Sequence, residues 1–296
     1  MTSARTVRTS LGALALLAST SAVRAQQPVA PLAAWLGPVA ATPHAWRAEH
    51  HAAAVRTAQV PAIRGFAAPS RMPLPALRAA DGWKLGGVAV AALLVAHADR
   101  RGDAWARRPG VRDNDALQAL ARVGDLTGAA GSIGIGPAAW LLGRARGDSG
   151  MAVLGLRTTE AVSASGVMIF AIKAITGRTR PYASADASPT RWDLFGGRRS
   201  DSTRSFASGH SAMAAAAAVT LAAEWRRQGR SGWSTAGPPL VYALASIAAG
   251  SRIVDRKHWL SDVVTGSGVG ILNALLVRRW HDANPGSRLD RALLPR

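Results

Sequence analysis

The chain alternates between apolar blocks several helical turns long and shorter segments rich in charged residues, glycine and proline. Apolar residues make up 48% of the chain, and they show little of the strict alternation that is typical of strands. The pattern predicts an all-α fold, a bundle of about six main helices with an irregular N-terminal extension. The predicted helical blocks cover residues 83–98, 114–123, 129–143, 151–175, 209–227, 238–250 and 260–280.

The N-terminus resembles a secretory signal peptide. Arg5 and Arg8 precede the short apolar core LGALALLA, and Val23-Arg24-Ala25 then offers small or permissive residues at the positions that signal peptidase reads. We therefore expect cleavage after Ala25 and export to the cell envelope. An uncleaved anchor is the alternative, although the apolar core is too short to span a bilayer well.

The changes in composition along the chain predict a signal peptide at 1–25, an Ala/Pro/Arg-rich extension or linker at 26–82, the helical domain at 83–280 and a C-terminal tail at 281–296. Three histidines of the extension, His44, His50 and His51, lie close together in sequence. No cluster of carboxylates accompanies them, so we interpret them as surface histidines rather than metal ligands.

The charge of the chain narrows the range of partners. There are 36 basic residues against 17 acidic ones, a net charge of +19, and no cysteine, which excludes disulfides and thiolate metal sites. The arginines are scattered and form no nucleic-acid-binding motif, so we expect no nucleic acid partner. An arginine-rich composition accounts for most of the charge, and an anionic substrate or an anionic membrane surface are the functional interpretations.

Three polar clusters stand at the ends of apolar blocks, and the first is KAITGRTRP, residues 173–181. Lys173 closes a long apolar block, and Gly177 and Pro181 then break the helix. Lys173 and Arg180 can both converge at this helix end. Because helix C-termini favour cations in any case, the cluster alone does not establish a site.

The second cluster is SFASGHSAMAAAAAV, which reads as the start of an alanine-rich helix. Ser208 is a good N-cap, and Gly209 leaves room for a ligand to approach the backbone. The free N–H groups and the positive end of the helix dipole favour a bound anion. His210, in the first turn, is either structural or placed to give a proton to a leaving group beside that anion.

The third cluster is SRIVDRKHWLSD, residues 251–262, which lies between two apolar blocks. His258 and Asp262 share a face of a helix that starts near His258. An aspartate that accepts from one imidazole nitrogen fixes the tautomer and leaves the other nitrogen as a nucleophile. By itself, the pair could also be an ordinary surface pair of a helix.

Together the clusters supply arginines, a lysine, histidines, a helix N-terminus and an orienting carboxylate. This inventory suits phosphoryl transfer, in which cations neutralise the phosphate oxygens, one histidine attacks in line and the other protonates the leaving oxygen. The chemistry requires no metal, and the sequence shows no carboxylate cluster typical of a metal site. We therefore expect neither a metal nor a cofactor.

The clusters also resemble a known family signature. KAITGRTRP matches K-x6-RP, ASGH is similar to PSGH, and SRIVDRKHWLSD matches SR-x5-H-x3-D. In this order they resemble the signature of the type 2 phosphatidic acid phosphatase (PAP2) superfamily, which includes class A acid phosphatases, lipid phosphatases and vanadium haloperoxidases. The resemblance covers roughly residues 83–280 and implies an α-helical bundle. The one departure is Ala207, where the family usually has proline, and it removes no functional group.

The resemblance implies a role for each motif residue. His258 is expected to be the nucleophile that forms a phosphohistidine, Asp262 to orient it, and His210 to be the general acid that later helps to activate water. The residues expected to bind phosphate oxygens are Lys173, Arg180, Ser208, Gly209 and Arg252.

Residues outside the motif positions are interpreted as structural or secondary: Arg178, Tyr182, Arg256 and Lys257. The loop 182–206, with Trp192 and Phe195, is expected to shape the entrance of the site.

The leading hypothesis is a metal-independent phosphatase acting on a soluble phosphate ester, phosphatidic acid or a polyprenyl diphosphate. The first alternative is a vanadium-dependent haloperoxidase, in which the same cationic cage binds vanadate and His258 ligates it. The second is a non-catalytic envelope protein that retains the motif. Because the charge-free apolar runs mostly fall short of the ~20 residues that a span requires, we predict a periplasmic bundle, soluble or membrane-associated.

Overall fold

The computed structural model describes residues 78–229 and 232–295, and its regular structure there is helical, as predicted. An isolated bridge between Arg178 and Trp192 is the one strand-like pairing in this part of the chain. The predicted signal peptide (1–25), almost all of the predicted extension (26–82) and its three histidines lie outside the described residues.

The helices begin and end close to the predicted blocks. In chain order they are α1 (Ala79–Ala96), α2 (Asp99–Ala106), α3 (Pro109–Arg112), α4 (Asp115–Asp125), α5 (Gly131–Arg146), α6 (Ser149–Thr176), α7 (Gly209–Gln228), α8 (Trp233–Val254), α9 (Leu260–Ala283) and α10 (Arg288–Leu293). Short 3-10 turns lie at Pro181–Ala183, Gly196–Arg198 and Asp201–Thr203, all within the loop between α6 and α7. Within the predicted tail 281–296, α9 runs on to Ala283 and α10 follows.

Helices α4 and α5 are joined without a break by a π-helical segment, Leu126–Ala130. The sequence pattern predicts separate blocks at 114–123 and 129–143, because the polar pair Asp125 and Thr127 interrupts the apolar run. The backbone stays helical through this interruption, and the whole element spans Asp115–Arg146. π-segments of this kind are frequent at functional sites, and this one directly follows Asp125, a residue of the candidate site described below.

The alanine-rich helix α7 packs against α6, α8 and α9 through small side chains. A Cβ atom on Gly266 of α9 would overlap the backbone oxygen of Ser208, and one on Gly270 would overlap that of Ala212. Glycine is therefore required at both positions for α9 to approach the start of α7 this closely. This contact places the first part of the second sequence cluster directly against α9, the helix that begins within the third cluster.

Three helical elements in the described part of the chain are long and apolar enough to cross a membrane: Asp115–Arg146, Ser149–Thr176 and Leu260–Ala283. The premise that the apolar runs are too short is wrong, because the helices continue through charged residues that are paired inside the bundle. Arg157 of α6 forms an ion pair with Glu224 of α7 (2.7 Å), and His281 of α9 lies 2.6 Å from Glu160 of α6.

The outer faces of several helices carry large apolar side chains. Val167 and Phe170 of α6 are 71% and 64% exposed, and Leu93 of α1 and Leu126 of the π-segment are each 68% exposed. A water-soluble monomer rarely leaves so many large apolar side chains uncovered. The long apolar helices and these outward-facing side chains indicate association with a membrane.

Candidate active site

The three sequence clusters meet at one end of the bundle, where α6 ends, α7 begins and α8 connects to α9. Backbone and side-chain hydrogen bonds join them. Ser208 N donates to the backbone oxygen of Asp262 (3.0 Å), and Trp259 Nε1 donates to the backbone oxygen of Thr179 (2.8 Å). The structure therefore brings the predicted residues of all three clusters into one region.

The start of α7 is built as the sequence predicts. Ser208 is the N-cap, it is fully buried, and its Oγ accepts from the hydroxyl of Ser211 at 2.8 Å. A Cβ atom on Gly209 would meet only Ile169 at 3.5 Å and Met213 at 3.9 Å, which are ordinary van der Waals distances. Packing therefore does not require glycine at 209, in contrast to Gly266. Close approach of a ligand to the backbone is a reason for glycine at this position.

The three predicted phosphate-binding cations each donate to an oxygen of the protein. Lys173 Nζ lies 2.5 Å from the backbone oxygen of Arg204. Arg180 donates to the backbone and side-chain oxygens of Asp201, both at 2.9 Å.

Arg252 is 1% exposed, and its Nη2 lies 2.8 Å from Asp125 Oδ1 and 2.9 Å from Asp255 Oδ2. The guanidinium is thus a buried charge held between two carboxylates, a position that it can keep only while an anionic partner is present.

His258, the predicted nucleophile, is 4% exposed. Its Nδ1 lies 3.7 Å from Asp262 Oδ2, longer than a hydrogen bond, and among the described residues this nitrogen has no hydrogen-bond partner. Burial lowers the pKa of His258 to about 4, and the charge of Lys173 acts in the same direction, against the raising effect of the Asp262 carboxylate. The imidazole is therefore neutral at pH 7, as a nitrogen nucleophile must be.

Asp262 is fully buried and is held by donors from three directions. Its Oδ2 accepts from Ser205 Oγ (2.5 Å) and from the backbone N–H of Trp259 (2.9 Å), and its Oδ1 accepts from Arg178 Nη1 (2.5 Å). These bonds fix the carboxylate beside His258 although it makes no hydrogen bond to that ring here. Catalytic hydrogen bonds of this type are often long in ligand-free proteins and shorten when the substrate binds.

Arg178, interpreted from sequence as secondary, connects Asp262 to a second buried carboxylate. Its Nη2 lies 2.8 Å from Asp99 Oδ2, and its guanidinium faces the rings of Trp192 and Trp259 at 4.9 and 5.6 Å. Asp99 also accepts from the backbone N–H (2.9 Å) and hydroxyl (2.7 Å) of Ser261. Sequence reasoning missed Asp99, which lies 79 positions from Arg178.

His210, the predicted general acid, has a carboxylate partner that sequence reasoning also missed. Its Nε2 lies 3.1 Å from Asp125 Oδ1, the same oxygen that contacts Arg252. Burial and the charge of Arg252 lower the pKa of His210 to about 4, while Asp125 opposes that shift. The sequence did contain a signal: Asp125 is an acidic residue just after the predicted block 114–123. In the structure it lies within one long apolar element, Asp115–Arg146.

The remaining residues named from sequence take structural positions. Arg256 Nε bonds to Asp103 (2.7 Å), Tyr182 Oη bonds to Asp201 (3.3 Å), and Lys257 is a half-exposed side chain 4.0 Å from Asp255. Within the described ranges, no group of three or more His, Cys, Asp or Glu side chains is arranged to hold a metal ion. Metal independence stays a prediction.

The loop 182–206 carries Trp192 and Phe195, each 50% exposed. Trp192 packs edge-on against Phe206 (5.3 Å between ring centroids) and over Arg178. The loop is thus attached to the site through an aromatic residue, and its role in shaping the entrance stays a prediction.

Comparison with known proteins agrees with the geometry. The model of the PAP2 superfamily matches residues 154–285, which include every predicted site residue. A curated relative, Lipid A 1-phosphatase of Porphyromonas gingivalis, is 46% identical over 81 residues, which cover 26% of this chain and 17% of that protein. No solved structure matches the chain significantly. The motif resemblance is therefore confirmed: the segment that carries every site residue predicted from the motifs is similar to the PAP2 superfamily, and the chain spans less than a fifth of the length of the curated relative.

Proposed function

We propose that this chain is a membrane-associated phosphatase that hydrolyses the phosphate group of an amphiphilic or lipid substrate through a phosphohistidine on His258. One observation carries the proposal: a buried, neutral His258 stands beside a fixed carboxylate, in the same region as three cations and the free N-terminus of α7. This combination provides a nucleophile and an anion site with no other evident use.

Substrate binding exchanges the protein oxygens around the cations for phosphate oxygens. Arg252 turns from Asp125 and Asp255 toward the phosphate, and Lys173 and Arg180 exchange their own acceptors. The backbone N–H groups at Gly209 and His210 add donors at the positive end of the α7 dipole. Because all of these donors are in place before the reaction, the charge that develops in the transition state is stabilised at little reorganisation cost.

The first chemical step forms a bond between Nε2 of His258, the ring nitrogen that does not face Asp262, and phosphorus, while the bond between phosphorus and the leaving oxygen breaks. The negative charge of the bound phosphate favours the protonated form of His210, whose pKa is about 4 without it, and His210 gives this proton to that oxygen, so the alcohol leaves neutral. Asp262 stabilises the positive charge that the imidazole of His258 acquires.

In the second step a water attacks phosphorus and gives a proton to His210, the bond to His258 breaks, and phosphate leaves. The protein's own cations supply the charge stabilisation. We therefore expect turnover to persist in the presence of a chelator.

Two observations support a lipid-like substrate. The relative from P. gingivalis is named for the 1-phosphate of lipid A, and three helical elements of this chain are long and apolar enough to cross a membrane. We propose that the substrate is a phosphorylated lipid presented at the membrane. We also propose an envelope location with an N-terminal signal, for which carbonate-resistant membrane association and N-terminal sequencing are the checks.

The experiment compares purified wild-type protein with His258→Ala on p-nitrophenyl phosphate, phosphatidic acid and a polyprenyl diphosphate. We expect the wild type to release phosphate from at least one of them and the variant to release none. Halide oxidation that depends on vanadate and peroxide, without any phosphate release, would instead establish the haloperoxidase alternative.

A further inference from the structure

We propose that the outward face of α2 and α3 binds the head groups of anionic phospholipids beside the candidate active site. This arginine face consists of four exposed side chains: Arg100, Arg101, Arg108 and Arg112. The inference goes beyond the proposed function, because it concerns the lipid surface on which the protein lies and holds whether or not the protein is a phosphatase.

The helical spacing of α2 separates its charges by sign. Asp99, Asp103 and Ala106 are buried, and their positions i, i+4 and i+7 lie on one face of the helix. Arg100 and Arg101 are exposed on the other side. The helix therefore turns its acids inward and its arginines outward, although the two signs alternate in the sequence.

Both acids of α2 are bound inside the protein by other arginines. Asp99 Oδ2 lies 2.8 Å from Arg178 Nη2, and Asp103 Oδ1 lies 2.7 Å from Arg256 Nε. Arg107 binds the second carboxylate oxygen of Asp103 at 2.8 Å. The two carboxylates are therefore not available to neutralise the arginine face.

The arginine face also lacks acidic partners from other helices. Among the described side chains, none forms an ion pair or a hydrogen bond with any of the four arginine side chains. The nearest exposed acids in sequence, Asp113 and Asp115, follow the face. Four unpaired cations on one short segment create a positive potential that favours an anionic partner.

The neighbours of the arginine face indicate that this partner is a lipid surface. Leu93 and Leu94, near the end of α1, are each 68% exposed, and α2 begins at Asp99. Trp105, which is 38% exposed, lies among the arginines. Exposed aliphatic side chains followed by arginine and tryptophan are typical of a chain that passes from the hydrocarbon core to the head groups. A nucleic acid would leave the leucines uncovered.

The arginine face lies at the same end of the bundle as the candidate active site. Asp99 accepts from the backbone N–H of Ser261 at 2.9 Å, and Arg107 Nη2 donates to the backbone oxygen of Ser184 at 3.5 Å. Helix α2 thus packs on the third sequence cluster and on the loop between α6 and α7. Anionic head groups bound to its outer face hold this end of the protein against the membrane surface.

The test measures which lipids gather around α2. Because the chain has no cysteine, Ala104→Cys on the exposed side of α2 can carry a donor dye, and Ala283→Cys at the far end of α9 is the control position. The full chain is reconstituted in phosphatidylcholine vesicles with a trace of phosphatidylglycerol or phosphatidylcholine that carries an acceptor dye on its acyl chain. Each sample is measured with and without excess inorganic phosphate at constant ionic strength, since phosphate competes for the candidate active site.

We expect energy transfer from position 104 to report a local enrichment of phosphatidylglycerol over phosphatidylcholine of about fivefold or more, the effect of one arginine at the head groups. The enrichment should persist with phosphate, decrease as salt is raised, and be much smaller at position 283.

Three variants locate the effect. Changing all four arginines of the face to glutamine should bring the enrichment at position 104 close to one. Arg100→Gln with Arg101→Gln should remove only part of it, and this milder variant keeps the test decisive if the fourfold variant does not fold. The matched control is Arg146→Gln with Arg226→Gln, two exposed arginines at the opposite end of the bundle, which should follow the wild type.

Hydrolysis of p-nitrophenyl phosphate, measured in parallel, separates this inference from the proposed function. It should be unchanged in the arginine variants, and its absence in the wild type would count against the phosphatase without affecting the energy-transfer result. Wild-type enrichment in the fourfold variant, or equal enrichment at positions 104 and 283, would overturn the lipid-binding role of the arginine face. Loss of the enrichment on addition of phosphate would place the lipid in the candidate active site and overturn it equally.

Discussion

Arg178 and Asp262 form a buried ion pair in which Nη1 of the arginine lies 2.5 Å from Oδ1 of the carboxylate. Neither side chain is more than 4% exposed. The arginine binds Asp99 with its other terminal nitrogen, so it is held between two carboxylates from different helices. The orientation of Asp262, which lies beside His258, therefore depends on a buried arginine whose two terminal nitrogens are both taken by carboxylates.

We predict that Arg178→Met lowers kcat by roughly 10²-fold while KM changes little, because a positioning residue affects the chemical step more than substrate binding. It should also reduce the free energy of unfolding by about 3–5 kcal/mol, since it leaves two buried carboxylates without their partner. Steady-state kinetics and denaturant unfolding measure the two effects.

Arg199→Met is the matched control, because the ion pair of Arg199 with Asp193 is exposed on both sides. It should change stability by no more than about 0.5 kcal/mol and leave kcat unchanged. An equal loss of kcat in both variants, or a rise in KM alone in Arg178→Met, would contradict the positioning role.

The low pKa of His258 predicts the acidic limit of activity. The ring must be neutral to attack phosphorus, and its pKa lies at about 4 instead of the ordinary 6.5. The loss of activity that belongs to the nucleophile is therefore absent as the pH falls through 6.5 and appears as it falls through about 4. The measurement is kcat/KM against pH for two substrates whose phosphate groups have different pKa values. A fall in kcat/KM that is caused by the enzyme occurs at the same pH for both substrates, whereas one caused by the phosphate does not. An enzyme limb near pH 6.5 would be inconsistent with a buried, neutral nucleophile.

Asp125→Asn should impair the general acid selectively. Asp125 opposes the lowering of the His210 pKa by burial and Arg252, so its removal lowers that pKa further and fewer molecules carry the proton. Alkyl phosphates, whose leaving oxygen needs that proton, should lose about 10²-fold in kcat. p-Nitrophenyl phosphate, with a good leaving group, should lose much less.

Asp113→Asn, a change of the same type at an exposed position beside α4, provides the control and should leave both substrates unaffected. Equal losses for the two leaving groups in Asp125→Asn would indicate a role in binding through Arg252 instead of proton transfer.

Two glycine substitutions separate a ligand contact from a packing contact. Gly209→Ala meets only ordinary van der Waals neighbours, so we expect a normally folded protein with KM raised about tenfold, equivalent to ~1.4 kcal/mol. Gly266→Ala would overlap the Ser208 backbone, and we expect a loss of about 1–3 kcal/mol in stability. A wild-type KM in Gly209→Ala would argue against phosphate approach at the start of α7.

The parts of the site that the sequence predicts are those determined over a few residues. Ser208 and His210 occupy the first turn of one helix, and His258 and Asp262 flank the start of another, so spacing alone places each pair. Asp99 and Asp125 come from distant segments, and only the packing of α2 and α4 against the motif helices brings them to the site. No local pattern distinguishes them from solvated carboxylates.

The capacity of the helices to cross a membrane was hidden for a similar reason. The predicted block 151–175 is close to the observed bounds of α6, but Arg157 and Glu160 interrupt its charge-free run, which by itself is too short for a membrane span. In the folded chain Arg157 pairs with Glu224 and Glu160 contacts His281. The cost of placing these charges in an apolar helix is offset by partners that only the tertiary structure reveals.

The most direct test of the central claim is detection of the covalent intermediate. Wild-type protein is mixed with a substrate labelled in its phosphate, quenched within milliseconds to seconds, and digested for peptide mapping. We predict an acid-labile phosphoramidate on His258, absent in His258→Ala and accumulating in variants slowed in the second step. Label on another residue, or full turnover by His258→Ala, would contradict it.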